Sequence, residues 1–483
     1  MAITLLAGCA TFPVAGDEGG PPWIRVNTPH FSLATDMKPE PAEELAHMLE
    51  DWWAAMSVAL ASTAGQSVRA AKPQTEPLLV IALRSQGERE AVHYRLGGVF
   101  TSFSLVPPAM SIGNIDEAGG REVLKHELAH ALLHQRLPRI PRWLTEGMAV
   151  YLQTAALDRD RQIALWGTRS ISETHNVMEY GAHISTKSLL DPKRWAGMDA
   201  GLMEFRAGLL VHMLINQYPD ALTCYLDRLE ADLDLDGALS CFGSRQNWDF
   251  ELDDYAYSVS FPERQTRYEA SDAEARTTPM NDADTHAVLA LLDFMVVSTI
   301  EPDFRPPRIE RARHNVDRAL ALDPTNPLAA MLLLAGGEVD AARWDGLTRA
   351  MVTSNDGDWR AWVARARTPN LPGIELQQAT ARARALAPEE TEVLRLTAFD
   401  ALRRQQWAEA RTLGIKAWLG GATDDFDRAT LFVASAQLGH CEEALNWARS
   451  PAETKKLNET LLSIQAQLDQ PRRPCDGAPA DLQ

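Results

Sequence analysis

Two imidazoles can meet one ion only if something rigid holds them a turn apart, so His126-Glu127-Leu128-Ala129-His130 constrains this chain more than any other segment. On a helix each residue advances by about 100°, which leaves His126 and His130 only about 40° apart on one face. Glu127 then stands at about 100° from His126, on the shoulder of that face, where a carboxylate can take a proton from water without being a ligand. Leu124, Leu128, Ala131 and Leu132 fall on the opposite side and would anchor the helix in a core. The segment reads as a zinc site with its own general base.

A catalytic zinc takes three protein ligands and keeps one position open, so a third ligand has to come from elsewhere. Glu146 is the candidate. Pro138 and Pro141 would end the first helix and start a second running back beside it, and Gly147 would let the two backbones approach closely. With 12 histidines in 483 residues, a chance His-Glu-x-x-His is expected in roughly two such chains per hundred at average glutamate usage. The downstream Glu-Gly is what raises the match above chance. His134 fails as third ligand because eight residues put it about 12 Å further along the helix axis. The metzincin pattern fails too, with Leu133 at its glycine position and Arg136 at its histidine position.

His-Glu-Leu-Ala-His followed by Trp143-Leu144-Thr145-Glu146-Gly147-Met148-Ala149 resembles the gluzincin branch of the peptidase MA superfamily, and most closely its bacterial members that carry helical repeats after the peptidase. The specific likeness covers residues 123–151 and a looser one residues 23–257. It implies zinc on His126, His130 and Glu146, with Glu127 as base. One departure stands out. Members often place a tyrosine after the metal helices to steady the transition state, whereas here that helix reads Met203-Glu204-Phe205-Arg206-Ala207, leaving Tyr180 or Arg206 as substitutes.

The net charge of −19 argues against nucleic acid or an anionic membrane surface as a partner, since both would repel the chain. Val288 to Ile300 is broken by Asp293 and reads as a buried helix, not a membrane span. Leu6-Ala7-Gly8-Cys9 resembles the lipobox of bacterial lipoproteins, although no Lys or Arg precedes it as a secretory signal would require. Either the recorded start is internal to a longer signal or the match is chance. The Gly/Pro-rich residues 10–22 suit a flexible tether. With Ala10 after the cysteine, the resemblance implies lipidation of Cys9 and the periplasmic face of the outer membrane. Cys224 and Cys241, like Cys441 and Cys475, are near neighbours, so two local disulfides or four buried thiols remain open.

Polar and apolar residues alternate from Trp23 to Thr35, giving strands broken at Thr28-Pro29. Pro41 to Leu60 reads as a helix with Trp52 and Trp53 on its core side. Glu76 to Leu83, Val99 to Leu105 and Ala109 to Ile112 read as further strands. Gly97 to Phe100 could be the edge strand that lays substrate backbone along a gluzincin site, or an ordinary covered strand. The irregular residues 152–202 would wall the cleft. Phe205 to Ile215 and Tyr218 to Leu233 are helical, and Glu409-Ala410-Arg411 and Glu443-Ala444-Leu445 share the tetratricopeptide period.

The expected fold is α+β: a gluzincin-like zinc peptidase domain with a small mixed sheet at 23–258, followed by an all-α array of tetratricopeptide-like repeats at 283–470. A remnant signal and tether at 1–22, a linker at 259–282 and a tail at 471–483 complete the layout. The expected activity is zinc-dependent hydrolysis of a peptide or protein substrate. The alternative is a zinc-binding scaffold without turnover that binds protein partners through the repeats. No nucleic acid is expected, and no membrane contact except through the lipid anchor.

Overall fold

The structure, a computed structural model, describes residues 12–63, 76–93, 98–102, 105–113, 120–168, 184–191, 194–195, 200–231, 235–243, 248–257, 262–297, 299–300, 302–336 and 339–448. Cys9, Tyr180 and Cys475 lie outside them. The fold is mixed, with a small sheet in the N-terminal part and a helical C-terminal region. The chain divides at Leu322–Asp323 into two compact units. No helix among the described residues is long and apolar enough to cross a membrane.

The first unit is organised on a six-stranded sheet in the order β4 (Gly98–Thr101), β5 (Ala109–Ile112), β3 (Leu78–Ala82), β2 (Phe31–Thr35), β1 (Ile24–Asn27) and β9 (Arg276–Pro279). Strands β1 (Ile24–Asn27) and β2 (Phe31–Thr35) form the antiparallel pair expected around Thr28-Pro29. Strand β3 (Leu78–Ala82) runs parallel to β2, and parallel neighbours need a crossover, which helix α1 (Pro39–Thr63) supplies. Strand β5 (Ala109–Ile112) continues parallel to β3, and β4 (Gly98–Thr101) closes that edge antiparallel. One register row crosses the sheet from Val26 through Leu33, Val80 and Met110 to Phe100. Its first four side chains are fully buried, packed with Leu45, Leu49, Trp53 and Met56 of α1. Each such side chain contributes about 1.5–3 kcal/mol by leaving water.

Helix α2 (Gln86–His93) precedes β4. Helix α3 (Gly120–Arg136) lies against β4 and β5 and buries Leu124, Leu128, Ala131 and Leu132, the set that the helical arithmetic assigns to its core side. Pro141 caps α4 (Arg142–Gln153). A hairpin follows, β6 (Ala156–Asp158) with β7 (Ile163–Trp166), then helices α5 (Thr186–Leu190), α6 (Ala200–Gln217), α7 (Pro219–Ala231), α8 (Leu235–Ala238) and α9 (Trp248–Ala256). The stretch expected to be irregular thus holds a hairpin and a short helix among its described residues.

Two expectations from composition are corrected. Residues 259–282, read as a linker, carry β8 (Arg264–Arg267) and β9 (Arg276–Pro279), which pair with β7 and β1. Both strands are polar because they edge their sheets and owe their order to backbone pairing. Nor does the tether account hold for residues 12–22. Asp17 pairs with His286 at 2.9 Å and with Arg318, Glu18 pairs with His314 at 2.8 Å, and the Phe12 ring lies 3.5 Å from the Arg311 guanidinium. Gly16 serves close approach here, since a Cβ on it would sit 2.7 Å from Asp282 Oδ1.

These partners lie on the hairpin of α10 (Asp282–Val297) and α11 (Arg305–Leu322), which belongs to the first unit and not to the repeats. Arg308 explains why: its guanidinium donates to the carbonyls of Ala91 and Val92 at the end of α2. Asp293, which interrupts the apolar run on α10, is buried and accepts from Arg311.

The second unit is a succession of helical pairs: α12 (Pro327–Ala335) and α13 (Ala341–Ser354), α14 (Trp359–Ala366) and α15 (Gly373–Leu386), α16 (Thr391–Arg403) and α17 (Trp407–Leu419), α18 (Asp425–Gln437) and α19 (Cys441–Ala448). The starts of α16 and α18, Thr391 and Asp425, are 34 residues apart, as are Trp407 and Cys441. Arginines join successive pairs: Arg395 Nε donates to Asp427 at 2.7 Å, Arg411 Nη2 to Glu443 at 2.7 Å and Arg384 to Glu409 at 3.0 Å. Each of these contacts sets an arginine of one pair against a carboxylate of the next.

Cys224 and Cys241 form a disulfide across 17 residues, tying α7 to the turn before α9. Cys441 is disulfide-bonded as well. Closing a loop of that size stabilises by about 3 kcal/mol, so Cys224→Ser with Cys241→Ser should lower the urea midpoint of the first unit accordingly. An unchanged midpoint would show that the bridge constrains nothing.

Candidate metal centre

Helices α3 and α4 bring His126, His130 and Glu146 together. His126 Nε2 and His130 Nε2 are 3.0 Å apart, and Glu146 Oε2 lies 3.5 and 3.3 Å from them. Ligands on a tetrahedral ion with bonds near 2.0–2.1 Å are about 3.3 Å apart. The triangle therefore has the size of one face of such a tetrahedron. All three side chains are nearly enclosed, at 13 to 14% exposure, and the group can hold a metal ion.

Gln153, at the end of α4, holds His126 in place: its Oε1 is 2.9 Å from His126 Nδ1. As the acceptor it fixes the proton on Nδ1 and turns Nε2 toward His130 and Glu146. Reading the ligands alone misses this residue, yet seven positions after Glu146 is two helical turns, which puts Gln153 on the same face. Arg142 Nε reaches Glu146 Oε1 at 3.6 Å, and its guanidinium lies 4.8 Å from the Trp195 ring.

Glu127 stands outside the ligand group, as its place on the helix shoulder requires. Its Oε2 accepts from the Phe100 backbone N–H at 2.7 Å, so the edge strand β4 steadies the carboxylate. Gly98 is needed for this packing, because a Cβ there would lie 3.0 Å from Glu127 Cγ and from the Ser111 carbonyl. His134 is exposed and packs its ring against Phe100, at 5.8 Å between centroids. Lys125 turns the other way, donating to the Ala155 carbonyl at 2.8 Å beneath the Trp52 ring.

Gly147 does permit a close approach, though to α6 and not to α3. A Cβ on it would stand 2.5 Å from Val211 Cγ2 and 2.6 Å from the Ala207 carbonyl. Gly208 repeats the contact from the other side, where a Cβ would meet Val150. Helix α6 is thereby pressed onto the helix that carries Glu146. Arg206, considered as a stand-in for the missing tyrosine, is buried and donates to Asp253 at 2.6 Å and to the Ile184 carbonyl at 3.2 Å. It ties α6 to α9 and is not available to the site.

The electrostatics follow from crowding three carboxylates around two imidazoles. Burial by itself would lower the His126 pKa, but the Glu146 contact and the charges of Glu127 and Glu204 carry it up to about 9. Burial would likewise raise Glu146, yet His126 and His130 hold it well below the ordinary carboxylate range. Glu204 on α6 goes the other way. Burial and then Glu146 push it up to about 7, against His126, His130 and Arg142.

No protein-family model and no curated protein matches this chain.

Proposed function

We propose that the chain is a zinc-dependent metallopeptidase in which His126, His130 and Glu146 hold the ion and Glu127 is the general base. The observation that carries this reading is the division of roles within one helical turn. Two imidazoles converge on Glu146 with tetrahedral spacing, while Glu127 stands beside them, held by a strand backbone. Two nitrogens and one carboxylate oxygen are the donor set of a catalytic zinc, softer than a calcium or magnesium site and without the thiolates of a structural one.

When bound, zinc lowers the pKa of water toward neutrality and polarises a carbonyl. Glu127 then accepts the proton of the attacking water on its carboxylate and delivers it to the leaving amine. Gln153 keeps His126 oriented throughout. Strand β4, at the sheet edge beside Glu127, offers backbone groups along which an extended peptide can align. The likeness to gluzincins and the tetratricopeptide-like character of the second unit belong to the same reading, supported by the helical pairs and their 34-residue spacing. Such arrays bind extended partners, here a peptide or protein. The Cys224–Cys241 bridge supports an oxidising compartment, in keeping with a lipid anchor at Cys9 and a place in the cell envelope.

Purified full-length protein incubated with a peptide library should cleave a subset of it, lose the activity to a chelator and regain it with zinc. Cleavage indifferent to the chelator would overturn the reading. The commitment of Arg206 to Asp253 favours one rival, a zinc-holding scaffold without turnover; zinc-loaded protein that binds peptides and cleaves none would establish that rival.

Zinc needs neutral imidazoles, whereas the ion-free site holds a proton on His126 up to about pH 9. Zinc uptake at pH 7.5 should therefore release about one proton from His126, and affinity should climb about tenfold per pH unit until that value is reached. Calorimetry in two buffers of different protonation enthalpy measures the release. Equal heats in both buffers at pH 7.5 would contradict the raised pKa.

A further inference from the structure

The two oxygens of Glu146 face different partners. Oε2 lies 3.5 Å from His126 Nε2 and 3.3 Å from His130 Nε2, whereas Oε1 lies 3.6 Å from Arg142 Nε. A carboxylate can give an ion one oxygen or both. A catalytic zinc with three protein ligands keeps its fourth position open only if Glu146 gives one. Whatever holds Oε1 back therefore decides whether the centre stays open.

Helix stability gives no reason for an arginine at position 142. It is the first residue of α4, where a cation opposes the helix dipole, and it precedes its glutamate by four residues, the weaker order for such a pair. Its surroundings do give a reason. The guanidinium lies 4.8 Å from the centroid of the Trp195 ring, and that ring is buried and itself fixed, with Nε1 donating to the Leu189 carbonyl at 2.9 Å. Leu189 belongs to α5, whose Thr186 donates through its backbone N–H and its hydroxyl to Asp249 Oδ1 on α9, at 2.5 and 2.8 Å. A succession of contacts thus runs from α9 through α5 and Trp195 to a half-exposed side chain, and it ends on Glu146 Oε1. Stacking on an aromatic face keeps the planar guanidinium in one orientation.

We propose that Arg142 is a positioning residue that restricts Glu146 to a one-oxygen grip on the ion and so keeps the fourth position clear. The proposal rests on the metal centre of the reading above and is independent of what is cleaved. The last side-chain torsion of a glutamate is soft, so the three ligands alone do not prevent Oε1 from turning onto the ion. Arg142 opposes that turn with its charge, and Trp195 keeps the guanidinium from following.

The test compares full-length wild type, Arg142→Met and Arg142→Lys, each loaded with zinc. Infrared difference spectra between zinc-loaded and zinc-free protein, taken with ¹³C-labelled glutamate, read the grip directly: the two carboxylate stretching bands are far apart for a one-oxygen ligand and close together for a two-oxygen one. X-ray absorption at the zinc edge gives a second reading, since a two-oxygen grip draws the carboxylate carbon nearer the ion. Wild type should show the wide separation. Arg142→Met should keep one equivalent of zinc, show the narrow separation and the nearer carbon, and lose roughly 10- to 100-fold in any hydrolysis the wild type performs. Arg142→Lys, which keeps a cation within reach of Oε1, should restore the wild-type spectrum. Wild type with the narrow separation overturns the proposal and needs no variant to fold. A wide separation that survives Arg142→Met overturns it too, as does loss of zinc from that variant, because all three ligands remain in it. A lysine variant that matches the methionine one overturns the role of the charge. Wild type that takes up no zinc removes the metal centre and this proposal together, whereas zinc held by one oxygen in a protein that cleaves no peptide sinks the peptidase reading and leaves this proposal standing.

Discussion

Glu127→Gln should retain its zinc and its fold while peptide hydrolysis falls by about 10²- to 10⁴-fold, the range that general-base catalysis supplies. The substitution is conservative in the sense that matters here. Glu127 Oε2 accepts the Phe100 N–H at 2.7 Å, and the glutamine Oε1 can accept the same bond, so β4 keeps its hold on the side chain. What disappears is the proton acceptor. Zinc content by elemental analysis and thermal unfolding establish that the variant is intact, and single-turnover cleavage then reads the chemistry. Hydrolysis at the wild-type rate would move the base elsewhere in the molecule.

The helical arithmetic placed His126, His130, Glu127 and Glu146 as the structure has them, because each depends on local geometry: residues four apart on one helix, and a short proline-bounded turn to the next. The same arithmetic reaches Gln153 once Glu146 is taken as a ligand. Contacts between distant segments were beyond its reach. Gly147 reads as a close-approach residue, but its partner, α6, is found only when Val211 and Ala207 arrive from sixty residues on. Strands β8 and β9 escape a reading by hydrophobic alternation because they are polar, with exposed and part-buried residues interleaved, and their stability comes from backbone pairing at sheet edges. Residues 12–22 look like a tether by composition, and yet Asp17 finds His286 across 269 positions. In each case the missing information is a long-range partner, which periodicity within one segment does not carry.

Removing a ligand and removing the residue that orients one should differ by a wide margin. Glu146→Ala takes away the only carboxylate in the ligand triangle, leaving two imidazoles 3.0 Å apart with no anion opposite. Two neutral nitrogens hold a divalent ion poorly, and the protein should lose stoichiometric zinc on dialysis against buffer. His126→Ala should do the same. Gln153→Ala leaves all three ligand atoms in place but frees the His126 ring to rotate about its bonds and to carry its proton on either nitrogen, since the 2.9 Å contact to Nδ1 is gone. Losses of this kind cost about 10- to 100-fold in metal affinity, so this variant should bind zinc at one equivalent in a competition titration, with its curve displaced by that factor. The order of the three variants is the diagnostic. Full occupancy in Glu146→Ala would strike that residue from the centre, and wild-type affinity in Gln153→Ala would mean that packing alone holds His126 in place.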